Sequence, residues 1–569
     1  MYFMALASDY DGTIAEHGAV DEPTIAALKK CKDSGRKLIL VTGRELPDLK
    51  RVFPHVDLFD RIVAENGALL YNPKTEEERA IAPAPPAEFI ERLKERGVAD
   101  ISVGRSIVAT WEPHQVTALE VINEMGLELE IIFNKGAVMI LPSGINKAAG
   151  LKVALEELAL SPLNVVGVGD AENDHALLRM CGCGAAVANA LDALKDTADV
   201  VLKGDRGRGV AELVDAMLEQ DYRLAPSLRH ALPLGKDGEE TVSAFPDDVV
   251  LIAGSSGIGK STLATALTER MAEQGWQFCI FDPEGDYEGL EGAVTVGDTS
   301  TPPVMDHVLE LLDNPLTNVV VDTLAFELRE RPGFFAELMP QLATLRSKAG
   351  RPHWLIIDEA HHLMPESRNS ASLALTDDFS GVVLITVHPD AVSQDVLRTV
   401  TMVVALGPKA GEVINSFCAC ISEKAPALPA AADDHQVLFW NRADDTGVRA
   451  LTVEKPRQAH KRHTRKYVEG RLDETRSFYF RGPKGELNLR AQNLMVFLQM
   501  AEGVDERTWE HHRRTGDYSK WFRDRIGDRD LADETARIEA DRALSADESR
   551  RRVAKAVRRR YTAPASEKD

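Results

Sequence analysis

Two aspartates near the N-terminus have the spacing that a carboxylate-based transfer site requires. Asp9 and Asp11 follow the apolar run Met1–Ala7 and lie two residues apart, so both side chains leave the same face of an extended chain. Gly12 allows the backbone to turn sharply beside them. One carboxylate can act as a nucleophile while the other exchanges a proton with the leaving oxygen. The pair therefore predicts phosphoryl-transfer chemistry at the end of a strand.

Three later segments could supply the remaining groups of such a site, which are a cation and donors for the phosphate oxygens. They are Leu40–Arg44, Asn146–Leu151 and Gly169–Asp174. Together with Asp9–Thr13, they resemble the four motifs of the HAD superfamily, in the same order. The resemblance implies that Asp9 is the nucleophile and Asp11 the acid–base carboxylate. It implies that Thr42 and Lys147 bind the phosphate. It also implies a Mg²⁺ site formed by Asp9, Asp11, Asp170 and Asp174.

About 100 residues separate the second of these motifs from the third. The segments Glu65–Ala68 and Val187–Ala190 resemble the Cof-type, or IIB, branch of the superfamily, which implies an α+β cap at about 83–142. In that branch the cap covers the site and selects the leaving group. The resemblance thus implies a small phosphoester, such as a sugar phosphate or phosphoglycolate, with four cap residues as candidate contacts: Arg105, Trp111, Glu112 and His114.

A second phosphate-binding pattern begins at Gly254. The segment Gly254–Thr262 fits G-x-x-x-x-G-K-[ST], follows the apolar run Val249–Ala253 and leads into a helical pattern. In such a loop the backbone N–H groups cradle phosphates, the lysine reaches the outer phosphates and the next hydroxyl binds Mg²⁺. The pattern predicts an ATP site with Ser261 on the metal, formed by Gly254, Gly257, Gly259, Lys260, Ser261 and Thr262.

A carboxylate pair at the end of a later strand is expected to complete this second site. The apolar run Trp354–Ile357 is followed by Asp358 and Glu359. Asp358 would bind the metal through water, and Glu359 would polarise the attacking water, which favours hydrolysis over transfer. Asp322 also ends an apolar run, but it lacks an adjacent glutamate.

The segments Phe281–Tyr287 and Ile357–His362 resemble the HerA-FtsK superfamily of ring ATPases, over about 250–410. The resemblance implies a homo-oligomer, with a ring as one possibility, because such sites are completed by a neighbouring subunit. It also implies a polar sensor after the Asp-Glu pair, for which Thr386 and His388 are the candidates. Four residues are candidates for the arginine from the neighbour: Arg329, Arg331, Arg346 and Arg398.

The elements that must position both sites follow one another along the chain. Strand-like runs alternate with helical patterns, which indicates parallel sheets covered by helices. We expect an α/β multidomain protein with a HAD Rossmann-like parallel sheet and an α+β cap, a RecA-like P-loop α/β domain, and a small helical C-terminal module. The expected boundaries are 1–225 for the first domain, 226–247 for a linker, 248–455 for the ATPase domain, 456–472 for a basic linker, and 473–569 for the module with its Arg-rich tail.

The composition excludes several classes of protein. No apolar run approaches the ~20 residues needed to cross a bilayer, and the N-terminus lacks the basic region of a signal peptide. The six cysteines are expected to be buried free thiols. We therefore expect a cytoplasmic protein without a membrane partner. The net charge is −23, but residues 456–569 carry 27 basic against 20 acidic residues, which leaves a nucleic-acid partner open.

Together the two sites predict a bifunctional hydrolase. The first would be a Mg²⁺-dependent phosphomonoesterase that forms an aspartyl-phosphate on a small phosphoester, and the second an oligomeric ATPase. Two alternatives remain open. ATP could regulate a metabolic phosphatase that has no motor activity. The chain could also be a nucleic-acid-linked ATPase and phosphatase, for example in phage defence, although the acidic body disfavours this.

Overall fold

The computed structural model describes residues 1–134, 136–225, 227–255, 257–367, 379–429, 436–444, 446–457, 477–526 and 529–561. Strands alternate with helices through most of these residues, which confirms the α/β class. The strands form sheets of eight, eleven, four and two strands. Within the described ranges, no helix combines the length and the apolarity needed to cross a membrane.

The eight-stranded sheet carries the first four sequence motifs. Its strands are β1 (Ala5–Ser8), β2 (Lys37–Val41), β3 (Arg61–Ala64), β4 (Leu69–Asn72), β5 (Glu77–Ala80), β10 (Val165–Gly169), β11 (Cys183–Ala186) and β12 (Val200–Val201). Their order is β12-β11-β10-β1-β2-β3-β4-β5, parallel from β12 to β3 and antiparallel beyond. The helices of this part are Glu22–Asp33, Leu46–Val52, Lys147–Glu157, His175–Met180, Asp192–Lys195 and Arg206–Gln220.

A separate antiparallel sheet lies in the interval between the second and third motifs. Its strands are β6 (Ser102–Val103), β7 (Val108–Trp111), β8 (Leu129–Asn134) and β9 (Ala137–Pro142), in the order β6-β7-β9-β8. The helices Ala87–Glu95 and Gln115–Met125 accompany it, and apolar side chains from both pack with the sheet in one core. This small α+β unit occupies the place where the sequence predicts a cap.

The eleven-stranded sheet carries the P-loop. Its strands are β13 (Leu232–Asp237), β14 (Glu240–Ala244), β15 (Val249–Ala253), β16 (Phe278–Asp282), β17 (Ala293–Val296), β18 (Asn318–Asp322), β19 (Trp354–Ile357), β20 (Val382–Thr386), β21 (Met402–Ala405), β22 (Gln436–Asn441) and β23 (Val448–Thr452). Their order is β14-β13-β23-β22-β21-β15-β20-β19-β16-β18-β17, parallel from β21 to β17. The helices are Lys260–Glu273, Met305–Asp313, Arg331–Ala349, Ala360–Leu363, Gln394–Thr399 and Ala410–Ile421.

The segment 226–247 differs from the linker that its Pro, Gly and charged residues led us to expect. It contains the hairpin β13–β14, and β13 also pairs with β23, so the segment extends the ATPase sheet. Leu232 and Leu234 on one strand and Val242 on the other are buried in the core of that sheet. The alternation of these apolar residues is a strand signal that the sequence interpretation passed over.

The C-terminal part is not purely helical. The antiparallel pair β24 (Phe478–Phe480) and β25 (Leu489–Ala491) precedes the helices Leu494–Gly503, Glu506–Thr515, Asp517–Trp521, Arg529–Ala540 and Ala546–Tyr561. Trp509 stacks on Tyr518 and is almost fully buried. The aromatic side chains Phe478, Phe480, Phe497, Trp509, Tyr518, Trp521 and Phe522 therefore form the core of this part. The expected basic linker 456–472 lies outside the described residues except for its first two.

The two large sheets meet at the amino ends of their strands. Asn164 immediately precedes β10 and His353 immediately precedes β19, and His353 Nε2 lies 3.0 Å from Asn164 Oδ1. Gly350 has a φ of +68°, and a Cβ there would lie 2.7 Å from Asn164 Nδ2. Arg351 is fully buried and donates from Nη2 to the carbonyl oxygen of Ala159 at 2.8 Å. We call these four residues (Asn164, Gly350, Arg351 and His353) the junction.

Candidate active sites

Three buried aspartates meet at the carboxyl ends of two neighbouring strands. Asp9 follows β1 and Asp170 follows β10, and these strands are paired in parallel. Asp174 lies in the short turn after β10, where its Oδ2 accepts the backbone N–H groups of Asp170 and Ala171, each at 3.0 Å. The three carboxylates have ligand atoms within 4.8 Å of one another. The structure thus brings together three of the four predicted metal ligands.

Lys147 is the cation of this cluster. It is the first residue of the helix Lys147–Glu157, whose N-cap Asn146 accepts the N–H of Ala149, so the start of the helix is fixed. Its Nζ lies 2.6 Å from Asp9 Oδ1 and 2.6 Å from Asp174 Oδ1. Burial opposes the charge of the ammonium group, but the two carboxylates outweigh it and raise the pKa of Lys147. Lys147 therefore remains charged.

One lysine does not balance the carboxylates around it. Burial, together with the nearby charges of Asp174 and Asp170, raises the pKa of Asp9 to about 7 despite the attraction of Lys147. Thr13 adds a hydrogen bond from Oγ1 to Asp9 Oδ2 at 3.1 Å. A pocket of buried carboxylate oxygens that one ammonium group does not neutralise fits a hard divalent cation such as Mg²⁺. Its ligands would be Asp9, Asp170 and Asp174.

Asp11 lies apart from these three carboxylates, because Arg44 holds it. Arg44 Nε donates to Asp11 Oδ2 and Nη2 donates to Oδ1, both at 2.6 Å, in a bidentate pair. Arg44 also donates to Asp48 at 2.5 Å, and these carboxylates raise its pKa. Asp11 is not one of the three aspartates whose ligand atoms lie together, so its predicted role as a metal ligand stays a prediction, whereas its place beside the nucleophile suits proton transfer. Arg44 belongs to the second motif, but the sequence did not indicate that it would pair with Asp11.

Thr42 lies at the carboxyl end of β2, next to β1 in the sheet. It is fully buried, and its backbone N–H donates to Val63 at 2.8 Å. Its Oγ1 accepts the backbone N–H of Arg44 at 3.1 Å, so the threonine and the arginine of the second motif are positioned together. Thr42 thus lies at the same edge of the sheet as Asp9, and its role in binding phosphate stays a prediction.

Glu65 ties the small α+β unit to the first sheet. It is buried in a left-handed conformation with a φ of +52°. Its carboxylate accepts the backbone N–H groups of Arg105 and Ser106 at 2.9 and 2.7 Å, in the turn between β6 and β7. Next to it, a Cβ on Gly67 would overlap the carbonyl group of Asn146, which explains the glycine.

The four cap candidates have different surroundings in the structure. The side chain of Arg105 is 71% exposed and pairs with Glu78, and Trp111 is also exposed. His114 Nε2 accepts the backbone N–H of Ala99 at 3.3 Å, within the α+β unit. Glu112 is exposed at the surface. A role for them in substrate contact stays a prediction.

The second site is a glycine-rich loop between β15 and the helix Lys260–Glu273. Gly257 and Gly259 have φ values of +80° and +110°, which only glycine adopts without strain, and a Cβ on Gly254 would crowd Leu406. Lys260 is buried and its Nζ lies 3.3 Å from the carbonyl oxygen of Ser255, so it folds back over the loop. Ser261 and Thr262 follow Lys260 in the first turn of the helix. This is the strand–loop–helix geometry that the sequence predicts.

Ser261 contacts a carboxylate that the sequence did not single out. Its Oγ lies 3.1 Å from Asp286 Oδ2. Asp286 was part of the quoted segment Phe281–Tyr287, but nothing in its spacing showed that it would face the P-loop.

Asp358 and Glu359 lie at the end of β19, two strands from the P-loop strand β15. Burial, Glu359, Asp286 and Asp282 raise the pKa of Asp358 well above its usual value, which places these carboxylates in one neighbourhood. Glu359 has a φ of +41° and lies 3.4 Å from His361 Nδ1. The rival Asp322 ends β18 and accepts the N–H of Leu324 at 2.8 Å, in a turn.

The sensor candidate Thr386 is buried at the end of β20, where its Oγ1 lies 3.1 Å from His361 Nδ1. The same oxygen accepts the backbone N–H of His388 at 3.0 Å. Burial, together with the neighbouring His362 and His388, lowers the pKa of His361 to about 4. A neutral histidine therefore connects Glu359 to Thr386, which the sequence did not predict.

The four candidate arginines differ in their surroundings. Arg331 is buried and donates to the carbonyl oxygens of Pro283 and Phe326, so it is part of the ATPase interior. Arg346 donates to His353 beside the junction. Arg398 pairs with Asp395 and is half exposed, and Arg329 pairs with Glu327 and is 81% exposed. Arg329 and Arg398 are the two that could extend towards a neighbouring subunit.

Two family matches divide the chain in the same way as the two sites. Residues 6–110 and 123–214 match the haloacid dehalogenase-like hydrolase family. Residues 244–393 match a family described as AAA domain. The first match contains Asp9, Thr42 and Asp170, and the second contains Lys260 and Asp358.

The similar curated proteins cover the first of these regions. Phosphoglycolate phosphatase 1 of Saccharolobus solfataricus is 31% identical over 219 residues, which are 38% of this chain and 95% of that protein. Phosphoglycolate phosphatase 2 of the same organism is 28% identical over 228 residues, which are 38% of this chain and 93% of that protein. The phosphoglycolate phosphatase of Methanopyrus kandleri is 29% identical over 225 residues, which are 37% of this chain and 96% of that protein.

Solved structures match the same part of the chain. A haloacid dehalogenase-like hydrolase from Bacteroides thetaiotaomicron covers 38% of this chain and 99% of its own, with 18% identity and a TM-score of 0.33. A second one, from B. subtilis, covers 37% of this chain and 99% of its own, with 17% identity and a TM-score of 0.31. These scores are too low to add to the sequence matches.

Proposed function

The chain belongs to the haloacid dehalogenase-like hydrolases, and on that premise we propose that its first domain is a Mg²⁺-dependent phosphomonoesterase. The observation that carries the proposal is the buried cluster in which Lys147 lies 2.6 Å from both Asp9 and Asp174. Such a cluster presents a nucleophile, a fixed cation and metal ligands at one point. We also propose that this domain spans 1–225, with its cap at about 83–142.

The proposed reaction has two displacements at phosphorus. Asp9 attacks the phosphorus atom, the bond to the leaving oxygen breaks, and Asp11 gives that oxygen its proton. Water then attacks the aspartyl-phosphate, Asp11 takes up a proton from the water, and inorganic phosphate leaves. Thr42 and Lys147 would hold the phosphate oxygens throughout. Mg²⁺ held by Asp9, Asp170 and Asp174 would neutralise charge on the phosphate.

Arg44 has a definite task in this scheme. Its two hydrogen bonds fix the plane of the Asp11 carboxylate. Asp11 is thus oriented by Arg44, and Arg44 does not itself transfer the proton. Arg44 is therefore a positioning residue for the acid–base step.

We propose a small phosphoester as the substrate. Similar proteins named phosphoglycolate phosphatase align with nearly their whole length to the first domain. The α+β unit, fixed by Glu65, lies where a Cof-type cap would close over the site. A closed cap admits a small leaving group more readily than a polymer end. Phosphoglycolate and sugar phosphates are thus the substrates to test first.

We propose that residues 248–455, extended by the hairpin β13–β14, form an ATPase with Lys260 and Ser261 on the nucleotide and Glu359 as the group that polarises water. The P-loop geometry and the match to an AAA domain support this. Its relation to the HerA-FtsK ATPases, its homo-oligomeric state and its cytoplasmic location remain parts of the same proposal. They rest on the motifs at 281–287 and 357–362 and on the composition.

Two variants separate the activities. Asp9→Asn removes the nucleophile, so hydrolysis of phosphoglycolate or p-nitrophenyl phosphate should be lost while ATP turnover stays. Lys260→Ala should lose ATP turnover and keep phosphatase activity. Asp33→Asn, on the exposed surface of the same domain, is the matched control and should change neither. Wild-type phosphatase rates in Asp9→Asn would refute the nucleophile assignment.

The second candidate function, an ATP-regulated phosphatase, predicts a different pattern. In that case nucleotide would change the phosphatase rate, and Glu359→Gln would leave this effect in place because hydrolysis is not needed. A panel of phosphoglycolate, sugar phosphates, nucleotides and 5′-phosphorylated DNA, run with and without ATP, distinguishes it from the nucleic-acid alternative.

A further inference from the structure

The carboxylate that contacts the P-loop serine is Asp286, not Asp358. Asp286 Oδ2 lies 3.1 Å from Ser261 Oγ, the hydroxyl that would bind the metal. Asp286 belongs to the loop after β16, and β16 lies three strands from the P-loop strand β15 in the sheet. The loop must therefore project towards the P-loop for this contact to form.

Asp282, the last residue of β16, holds the loop in that shape. Its buried carboxylate accepts three backbone N–H groups, those of Glu284 and Asp286 on Oδ1 at 3.2 and 3.0 Å and that of Tyr287 on Oδ2 at 2.8 Å. Three backbone N–H groups bound by one carboxylate fix the backbone of this short loop from the inside. Asp286 is thus placed by a rigid turn and not by a mobile segment of chain.

Arg331 fixes the same loop from its other side. It is buried, and its Nη1 donates to the carbonyl oxygen of Pro283 at 2.8 Å. Its Nε donates to Phe326 in the segment after β18. The loop is therefore held between the end of its own strand and the helix that begins at Arg331.

Asp286 also lies beside the predicted metal carboxylate. Tyr287 is buried next to it, and after burial itself the charges of Asp358, Asp286 and Asp282 keep the pKa of this phenol well above its usual range. Acidic groups from the loop after β16 and from the end of β19 therefore lie around the Tyr287 phenol, next to the residue that contacts Ser261. Lys260, the cation of the loop, is turned towards Ser255.

We propose that Asp286 is a positioning residue of the ATPase site, which orients Ser261 and, with Asp358, holds the hydrated Mg²⁺ of the bound nucleotide. In this arrangement the Ser261 hydroxyl donates its proton to Asp286 and turns a lone pair to the metal. The inference deepens the proposed ATPase function and rests on it. Asp358 and Asp286 share a task that the sequence assigned to Asp358 alone.

The expected signature is a loss of the metal-dependent part of nucleotide affinity. Removing a carboxylate that supports a metal ligand costs roughly 10- to 100-fold in metal affinity. Asp286→Asn keeps the size of the side chain but loses its charge. The variant should bind ADP in EDTA as the unaltered chain does, yet gain little affinity when Mg²⁺ is added. Asp286→Glu should recover part of that gain.

The test is titration of the full chain with a fluorescent ADP in Mg²⁺ and in EDTA, together with Mn²⁺ binding to the ADP complex followed by electron paramagnetic resonance. Glu288→Gln is the matched control, because Glu288 is exposed two residues further along the chain. It should retain the full effect of Mg²⁺.

Three outcomes would overturn the assignment. Asp286→Asn could keep the full Mg²⁺ effect, which would mean that Asp286 has no part in holding the metal. Asp286→Asn could also bind ADP more weakly than the unaltered chain in EDTA, which would give Asp286 a merely structural role. The unaltered chain could fail to bind ADP at all, while Lys260→Ala behaved identically, and then the proposed nucleotide site would fall together with the inference.

Discussion

At the scale of single residues, both sites depend on contacts between segments far apart in the chain. Asp9 and Lys147 are 138 residues apart, and Asp11 and Arg44 are 33 apart. The four motifs that resemble those of the HAD superfamily pointed to Asp9, Thr42, Lys147 and Asp170, because the resemblance fixes which residue of each motif faces the site. Arg44 and Asp286 could not be predicted, because an arginine or an aspartate in a loop has many possible partners and no pattern selects one.

The bidentate pair between Arg44 and Asp11 should set the rate of proton transfer. Arg44→Lys keeps the charge but replaces a planar fork with a point donor, so the carboxylate loses its fixed orientation. We expect kcat to fall about tenfold, or roughly 1.4 kcal/mol, with little change in KM. Steady-state kinetics on p-nitrophenyl phosphate measure both values.

Arg51→Lys serves as the control, since Arg51 is exposed and pairs only with Asp48 among the contacts seen here. It should retain the parent kcat. An unchanged kcat in Arg44→Lys would show that Asp11 does not need the fork, and a rise in KM alone would place Arg44 in substrate binding.

At the scale of elements, the order of the strands explains most of what the sequence could predict. Parallel strands place their carboxyl ends on one edge, so Asp9, Thr42 and Asp170 had to come together once β1, β2 and β10 were recognised. The hairpin β13–β14 was missed for the opposite reason. Its Pro233, Gly235 and surface charges are typical of loops and outweighed the apolar alternation in the sequence interpretation, and only pairing with the distant β23 makes it part of the eleven-stranded sheet.

Glu65 should control the attachment of the α+β unit. Glu65→Ala leaves the N–H groups of Arg105 and Ser106 without their buried acceptor. Losing hydrogen bonds to a charged group costs about 2 kcal/mol. We expect faster hydrogen–deuterium exchange at 102–107 and a higher KM for phosphoglycolate, with exchange in β1 and β10 unchanged.

Glu77→Ala, an exposed change on β5, is the control and should leave exchange at 102–107 as it was. Equal protection of this turn in Glu65→Ala would mean that the α+β unit is held by its other contacts.

At the scale of the whole molecule, the junction joins the two sheets at the ends of the strands that lie farthest from the active sites. Asp170 follows β10 and Asp358 follows β19, whereas Asn164 and His353 precede the same strands. Each site therefore lies at the opposite end of its strands from the junction. The family matches indicate two domains, but only the structure shows which residues form the contact between them.

His353 should make this contact sensitive to acid. Its Nδ1 accepts the N–H of Gln277 at 2.9 Å, so the neutral ring donates from Nε2 to Asn164, and a second ring proton would oppose the Gln277 N–H. Burial, with Arg351 and Arg346 nearby, lowers the pKa of His353 to about 3. The unfolded chain takes up this proton at about pH 6.5. Stability from His353 is thus present above about pH 6.5 and is lost as the pH falls towards 3, by about 1.4 kcal/mol per pH unit.

Urea unfolding of the parent and of His353→Gln between pH 7 and pH 4.5 measures this loss. The variant should be less stable at pH 7, yet its stability should fall less steeply with acid. His307→Gln, on an exposed helix of the ATPase domain, should keep the parent slope. If His353→Gln kept the same slope as well, the buried imidazole would not be the acid-sensitive element.

If Asp9 carries the phosphoryl group during turnover, the aspartyl-phosphate can be trapped. The experiment is rapid acid quenching of the Lys260→Ala chain with phosphoglycolate and Mg²⁺, followed by mass spectrometry of the peptide that contains Asp9. We expect a phosphoryl adduct on Asp9 that disappears, together with phosphate release, in the Asp9→Asn variant of that chain. Phosphate release at the parent rate from the Asp9→Asn chain, with no adduct on this peptide in either one, would contradict it.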